Sequence, residues 1–142
     1  MSSRRQERRL AIEILFQADV TATDGRSALA GWLESGRTVP AFSRELVEGV
    51  TDHLAQLDET IGSHSEGWTV DRMASVDRTV LRVATYELAF DRGVPVGVAI
   101  DEAVRAAKDL STEDYGRFVN GVLGKIASEL DPDAKGPDPL GD

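Results

Sequence analysis

RRQERRLAIEILFQADV, residues 4–20, decides the fold class. Leu10, Ala11, Ile14, Leu15 and Ala18 recur at helical spacing and share one face. Four arginines, Arg4, Arg5, Arg8 and Arg9, precede that apolar stripe. Projected at about 100° per residue, Arg4 and Arg8 fall beside Leu15, while Arg5 lies beside Ile12 and Phe16. The arginines therefore prolong a partly apolar sector toward the N-terminus, as if the helix left its bundle there and presented that sector to something else.

The same period continues downstream, with no internal repeat and no alternating strand of useful length. A short helix is expected around Ser27 to Leu33, before the Gly36–Pro40 break. Ser43 reads as an N-cap, with Phe42 and Val47 at the staple positions, for one helix carrying Leu46, Val47, Val50, Leu54, Leu57 and Ile61 to about Gly62. After the loop SHSEGWTV, a single turn is expected at 71–74. Ser75 then caps a helix from Val76 to about Phe90, closed by Arg92-Gly93. Val94-Pro95 breaks the chain before a helix over 97–110, and Ser111 with Asp114 resembles a capping box opening a last helix to Leu130. The expected fold is all-α, about six to seven helices in residues 1–130, followed by a disordered acidic Pro- and Gly-rich tail at 131–142.

A chain of 142 residues holds one domain or two tightly merged small bundles, burying about two-thirds of its unfolded surface. Its 41% hydrophobic and 29% charged residues fit a soluble globular protein. No apolar run approaches the roughly 18 to 20 residues that span a bilayer, and MSSRRQERRL has no signal-peptide core, so the expected location is cytoplasmic. The absence of cysteine excludes disulfides, Cys-ligated metals and thiol nucleophiles. His53 and His64 stand eleven residues apart, too far to ligate one metal without other groups, and no metal or cofactor is expected. No Gly-x-Ser-x-Gly elbow, P-loop or dinucleotide fingerprint is present. The acidic pairs Asp58-Glu59, Asp101-Glu102 and Glu113-Asp114 are adjacent, so on a helix their carboxylates diverge and suit solvated surface better than acid/base catalysis.

Net charge is −9, which opposes general attraction to nucleic acid, yet it is uneven. Residues 1–10 carry +3, the last twelve carry −3, and the body holds −9. An acidic body with one arginine-rich segment can still hold a polyanion locally, because guanidinium binds phosphate with two hydrogen bonds and stacks on unpaired bases. The last helix adds a second anomaly. Gly116, Gly121 and Gly124 interrupt a good apolar period, each at a cost of about 1 kcal/mol of helix propensity. Close helix packing explains Gly121 and Gly124, and the turn at Tyr115, Gly116, Arg117 and Phe118 offers a seat for a phosphate and a stacked base.

Four blocks together carry a resemblance: RRQERRLAIEILFQ at 4–17, VDRTVLRVATYEL at 76–88, VPVGVAIDEAV at 94–104 and RFVNGVLGK at 117–125. In this order they resemble the NusB family of bacterial transcription antitermination factors. The resemblance implies two stacked helical bundles in one domain and no catalytic activity. It implies binding to boxA RNA of nascent ribosomal RNA transcripts together with ribosomal protein NusE, as part of the RNA polymerase antitermination complex. By motif, Arg4, Arg5, Arg8 and Arg9 face single-stranded RNA with Asp114, Arg117 and Phe118, and Asp77, Arg78 and Arg82 fall where the family meets NusE. NusB-like domains also occur fused to ribosomal RNA methyltransferases, but no cofactor-binding segment follows here. The other reading is a helical interaction module or homodimer whose RNA site is masked.

Overall fold

Helix α1 (Arg4–Val20) begins on a reciprocal cap. The Ser3 hydroxyl accepts from the Gln6 N–H at 3.1 Å, and the Gln6 side chain accepts from the Ser3 N–H at 2.8 Å. Its other end closes with Ala22 N–H donating to the Asp19 carbonyl and Thr23 N–H to the Ala18 carbonyl, which requires Ala22 to take the left-handed conformation at φ 55°. The chain is seen in a computed structural model that describes residues 3–91 and 93–130. Arg92, expected to close a helix, and the tail 131–142, expected to be disordered, lie outside the described residues.

Among the described residues there follow α2 (Gly25–Glu34), α3 (Ala41–Asp52), α4 (Leu54–Ser63), a 3-10 turn at Val70–Arg72, α5 (Ser75–Phe90), α6 (Val96–Leu110) and α7 (Glu113–Glu129), with no strand. The fold is all-α. Helices α1, α2 and α3 pack on one another, α5, α6 and α7 form the second bundle with α4 against α5, and the α1–α5 contact joins the two. One continuous core results, from Ile14, Leu46 and Val50 through Leu81 and Leu88 to Leu123 and Ile126. None of these helices is long and apolar enough to cross a membrane.

Several local expectations are displaced, each for a traceable reason. The helix expected from Ser43 to Gly62 is two, because the backbone opens at His53 (φ −114°, ψ 19°), whose ring Nδ1 lies 2.9 Å from the Gly49 carbonyl. Ser43 does not cap; it is buried inside α3 and donates to the Glu7 carbonyl at 2.7 Å, tying α3 to α1. Ser75 is the first residue of α5, and its hydroxyl serves Asp19 instead. Thr112, not Ser111, caps α7 by accepting from the Tyr115 N–H. The close approach expected at Gly121 and Gly124 is absent, since both face open space. It occurs at Gly116, where an added Cβ would stand 2.6 Å from the Lys108 side chain.

Helix α5 is buried on nearly every side, including Asp77, Thr79, Thr85 and Glu87. Glu87 is answered by Arg8 of α1, which helps set the geometry of the surface above α5, whereas the side-chain oxygens of Asp77, Thr79 and Thr85 lack a hydrogen bond of full geometry.

The turn after α1 gives a direct check. A left-handed L-residue costs about 1 to 2 kcal/mol, part of which glycine returns through its looser unfolded chain. Ala22→Gly should therefore raise the unfolding free energy in urea by about 0.5 to 1 kcal/mol; a decrease would show that this turn is not strained.

Candidate nucleic-acid interface

The four N-terminal arginines do not share one fate. Arg8 is only 7% exposed. Its Nε and Nη2 grip both Glu87 carboxylate oxygens at 2.8–3.1 Å, and Nη1 lies 3.8 Å from Glu102. The Phe42 ring, 5.3 Å from the guanidinium, covers it. The expectation that Arg8 faces RNA is corrected on this point: its position beside Leu15 on the helical wheel points it into the bundle, where α5 supplies a buried carboxylate.

The other three reach solvent. Arg4 lies over the Phe42 ring at 4.2 Å, at the mouth of a cleft of about 290 Å³ shared with Glu45, Asp91, Val94, Pro95 and Val98. Arg5 forks onto Glu102 of α6 at 2.9–3.1 Å while its side chain stays 55% exposed. The Arg5 hydrogen bonds hold the Glu102 carboxyl below the usual range despite burial, and Glu102 in turn raises the Arg5 guanidinium. Arg9 pairs with Asp109, two turns further along α6, at 2.9 Å. The arginines thus run along α6 rather than clustering at one tip. From Val98 beside Arg4 to Asp109 beside Arg9 is about 16 Å of helix rise.

Asp109 stands three residues before Thr112, the cap of α7, so α6 leads from the Arg9 ion pair directly into the segment that carries the other predicted residues. There Asp114 and Arg117 form an exposed ion pair. Phe118 is half-buried, edge-on to Tyr115 at 6.1 Å and to Trp68 at 6.4 Å. Trp68 was not singled out from the sequence; the available signal was a lone tryptophan in a loop of small and polar residues. Lys108 lays its methylenes over Gly116, which occupies the room a phosphate seat would need at that residue.

The residues assigned to a protein partner turn inward. Asp77 is fully buried. Arg78 binds Asp19 at 2.7 Å, and Arg82 bridges Asp58 at 2.7 Å and Asp19 at 3.2 Å, lacing α5 to α1 and α4. Burial works to raise the Asp19 carboxyl, but hydrogen bonds from Arg78 and Ser75 bring it below its ordinary range. These side chains act as struts rather than as an outward face. Exposed apolar surface lies elsewhere, at Phe16 and Val20 of α1 and Leu33 of α2.

Asp77 is the least satisfied charged group. Neither carboxylate oxygen has a hydrogen bond of full geometry. Burial raises its pKa, and the nearby Ser111 and Tyr115 hydroxyls only partly oppose the rise. Among the described residues no three His, Asp or Glu side chains converge as a metal-ion ligand set.

Comparison with known proteins follows the same outline. The NusB family model matches residues 5–128. The transcription antitermination protein NusB of Leifsonia xyli subsp. xyli is 44% identical over 141 residues, covering 95% of this chain and 98% of that protein. That of Saccharopolyspora erythraea is 46% identical, covering 89% and 88%. The solved structure of T. maritima NusB superposes with a TM-score of 0.83 at 37% identity, covering 94% and 96%. A crystal structure of antitermination factors NusB and NusE in complex with dsRNA contains a chain that matches with a TM-score of 0.78 at 26% identity, covering 89% and 97%.

Three substitutions test the interior. Arg8→Met leaves Glu87 buried without its guanidinium and should cost about 3 to 5 kcal/mol, whereas Arg8→Met combined with Glu87→Leu should recover most of that loss; chemical denaturation of both variants decides it, and equal stability of the two would refute the pairing. Asp77 has a folded-state pKa above its unfolded value, so its ionisation destabilises the fold as pH rises past the normal aspartate range. Asp77→Asn should accordingly raise the thermal midpoint by a few degrees at pH 7 and lose this advantage below about pH 4. A gain that persists unchanged in acid would remove titration as its cause.

Proposed function

The chain belongs to the NusB family, and from that premise we propose that it is a transcription antitermination factor that binds boxA RNA of nascent ribosomal RNA transcripts together with ribosomal protein NusE, promoting read-through by RNA polymerase. The curated relatives carry the antitermination name, and a related NusB chain has been crystallised with NusE and RNA. The observation that carries the reading for this chain is a track of guanidinium groups that reach solvent: exposed Arg4 and Arg5 and half-buried Arg9 of α1 laid along α6, then exposed Arg117 at the start of α7.

The chemistry of the track suits one RNA strand. Each of these arginines is held by an acidic neighbour: Glu7 for Arg4, Glu102 for Arg5, Asp109 for Arg9 and Asp114 for Arg117. Such surface pairs contribute about 0 to 1 kcal/mol, so a phosphate can replace the carboxylate at little cost while finding the guanidinium already oriented. The exchange also weakens binding by the protein alone. A second protein that contributes its own RNA contacts compensates through effective concentration, which is the role assigned to NusE. No enzymatic step is required by this reading; the protein acts by assembly.

Filter binding of boxA RNA against a scrambled RNA, with and without NusE, tests the proposal. The expected result is preference for boxA that strengthens with NusE. Arg5→Gln and Arg9→Gln should each weaken RNA binding and lower the slope of log affinity against log salt by about 0.7, the contribution of one single-strand phosphate contact. Equal affinity for both RNAs, or unchanged slopes in both variants, would overturn it.

A further inference from the structure

Asp77 is a buried acid that the stability of the fold does not call for. It sits in the first turn of α5, 0% exposed, and neither of its carboxylate oxygens takes a hydrogen bond of full geometry. For stability alone an apolar side chain of similar size would serve better there. The neighbours of the carboxyl suggest another use. It faces the hydroxyls of Ser111 and Tyr115, and these come from opposite sides of the turn that joins α6 to α7. Ser111 directly follows the last residue of α6, and Tyr115 is the third residue of α7. Between them Thr112 caps α7, its hydroxyl accepting from the Tyr115 N–H at 3.2 Å and its carbonyl from the Gly116 N–H at 3.1 Å. Helix α5 packs against both α6 and α7, so one carboxyl on the central helix spans the turn.

We propose that Asp77 is a positioning residue: facing the Ser111 and Tyr115 hydroxyls, it seats the first turn of α7 on α5 and so sets the direction in which that turn presents its side chains. The inference rests on the RNA-binding reading above and adds to it a residue that touches no RNA. The link runs through Tyr115, whose ring stands edge-on to Phe118 at 6.1 Å, on the turn that also carries the Asp114–Arg117 ion pair. A carboxyl suits the task because its two oxygens can face two hydroxyls at once, and in the low polarity of the interior such dipoles act on it more strongly than they do in water. An apolar side chain at this position would leave both hydroxyls without a partner on α5. The same burial removes Asp77 from the partner-facing role that the family resemblance implies, since its side chain offers no surface to a second protein.

Amide hydrogen exchange of the free protein, followed by NMR, reads the seat without RNA. Asp77→Ala should speed exchange of the Tyr115 and Gly116 amides about tenfold while Leu123 and Ile126 of the same helix keep their rates. Asp77→Asn, which keeps one acceptor and adds a donor, should restore the slow rates. Ser111→Ala combined with Tyr115→Phe removes both hydroxyls, should reproduce the Asp77→Ala pattern, and should gain nothing further from Asp77→Ala; should Asp77→Ala fail to fold, this double variant carries the same test. In filter binding with NusE present, Asp77→Ala should weaken boxA RNA binding about fivefold, and Asp77→Asn should bind as the parent does. Unchanged exchange in Asp77→Ala, or no recovery in Asp77→Asn, overturns the seat whatever the RNA result. Faster exchange with parental boxA affinity overturns the positioning role. Loss of NusE binding by Asp77→Ala in the absence of RNA overturns it as well and returns Asp77 to the partner face. If the parent does not distinguish boxA from scrambled RNA, the RNA reading falls and the positioning role with it, even where the exchange pattern is as expected.

Discussion

A guanidinium and a carboxylate meet inside this protein, and much of its surface is arranged around that meeting. Helix α5 runs through the middle of the molecule and buries Glu87 almost completely. An isolated carboxylate there would be very costly, so α1 must deliver Arg8 to it in a two-pronged grip. This fixes the rotation of α1 about its own axis and its distance from α5. Once Arg8 points inward, Arg5, three residues before it, and Arg9, one residue after it, lie about 60° and 100° round the helix on the same side and are turned toward the edge of α6, where Glu102 and Asp109 receive them. The buried pair therefore aims the exposed ones.

The exposed pairs answer the problem posed by the net charge of −9. Long-range attraction of RNA to the whole body is unfavourable, so binding has to be local and sterically defined. On the proposed reading, the carboxylates that hold the arginines in place would limit indiscriminate capture of polyanions and would give up their partners where several phosphates arrive in register. On the same reading, Phe118 at the start of α7, edge-on to Tyr115 and Trp68, would add a stacking contact that charge alone cannot supply. Acidic composition and RNA recognition are compatible on this basis.

The extent of α1, the all-α class and the core stripes of α5 and α7 were legible from apolar spacing alone, because each faces a core wide enough to enforce a helical period. Capping was less legible. Ser43, Ser75 and Ser111 all have the right side chain for an N-cap, but tertiary partners claim Ser43 for the Glu7 carbonyl and Ser75 for Asp19, and Thr112 lies one residue closer to the start of α7 than Ser111. The break at His53 has no glycine or proline to announce it. At the site, the wheel placed Arg8 correctly beside Leu15, yet only the position of Glu87 in three dimensions shows that this side is interior. Asp77, Arg78 and Arg82 gave the same difficulty: a charged run on a helix looks like surface until the helix proves to be central. Family resemblance supplied the function, and the structure redistributed the work among the residues.

The division between an interior arginine and exposed ones can be observed directly through the guanidinium Nε–Hε resonances of isotopically labelled protein as boxA RNA and NusE are added. The account predicts that the signals of Arg5, Arg9 and Arg117 shift as phosphate replaces their carboxylates, while the Arg8 signal keeps its position and its slow exchange with water. A shift of Arg8 with the other three unmoved would contradict it.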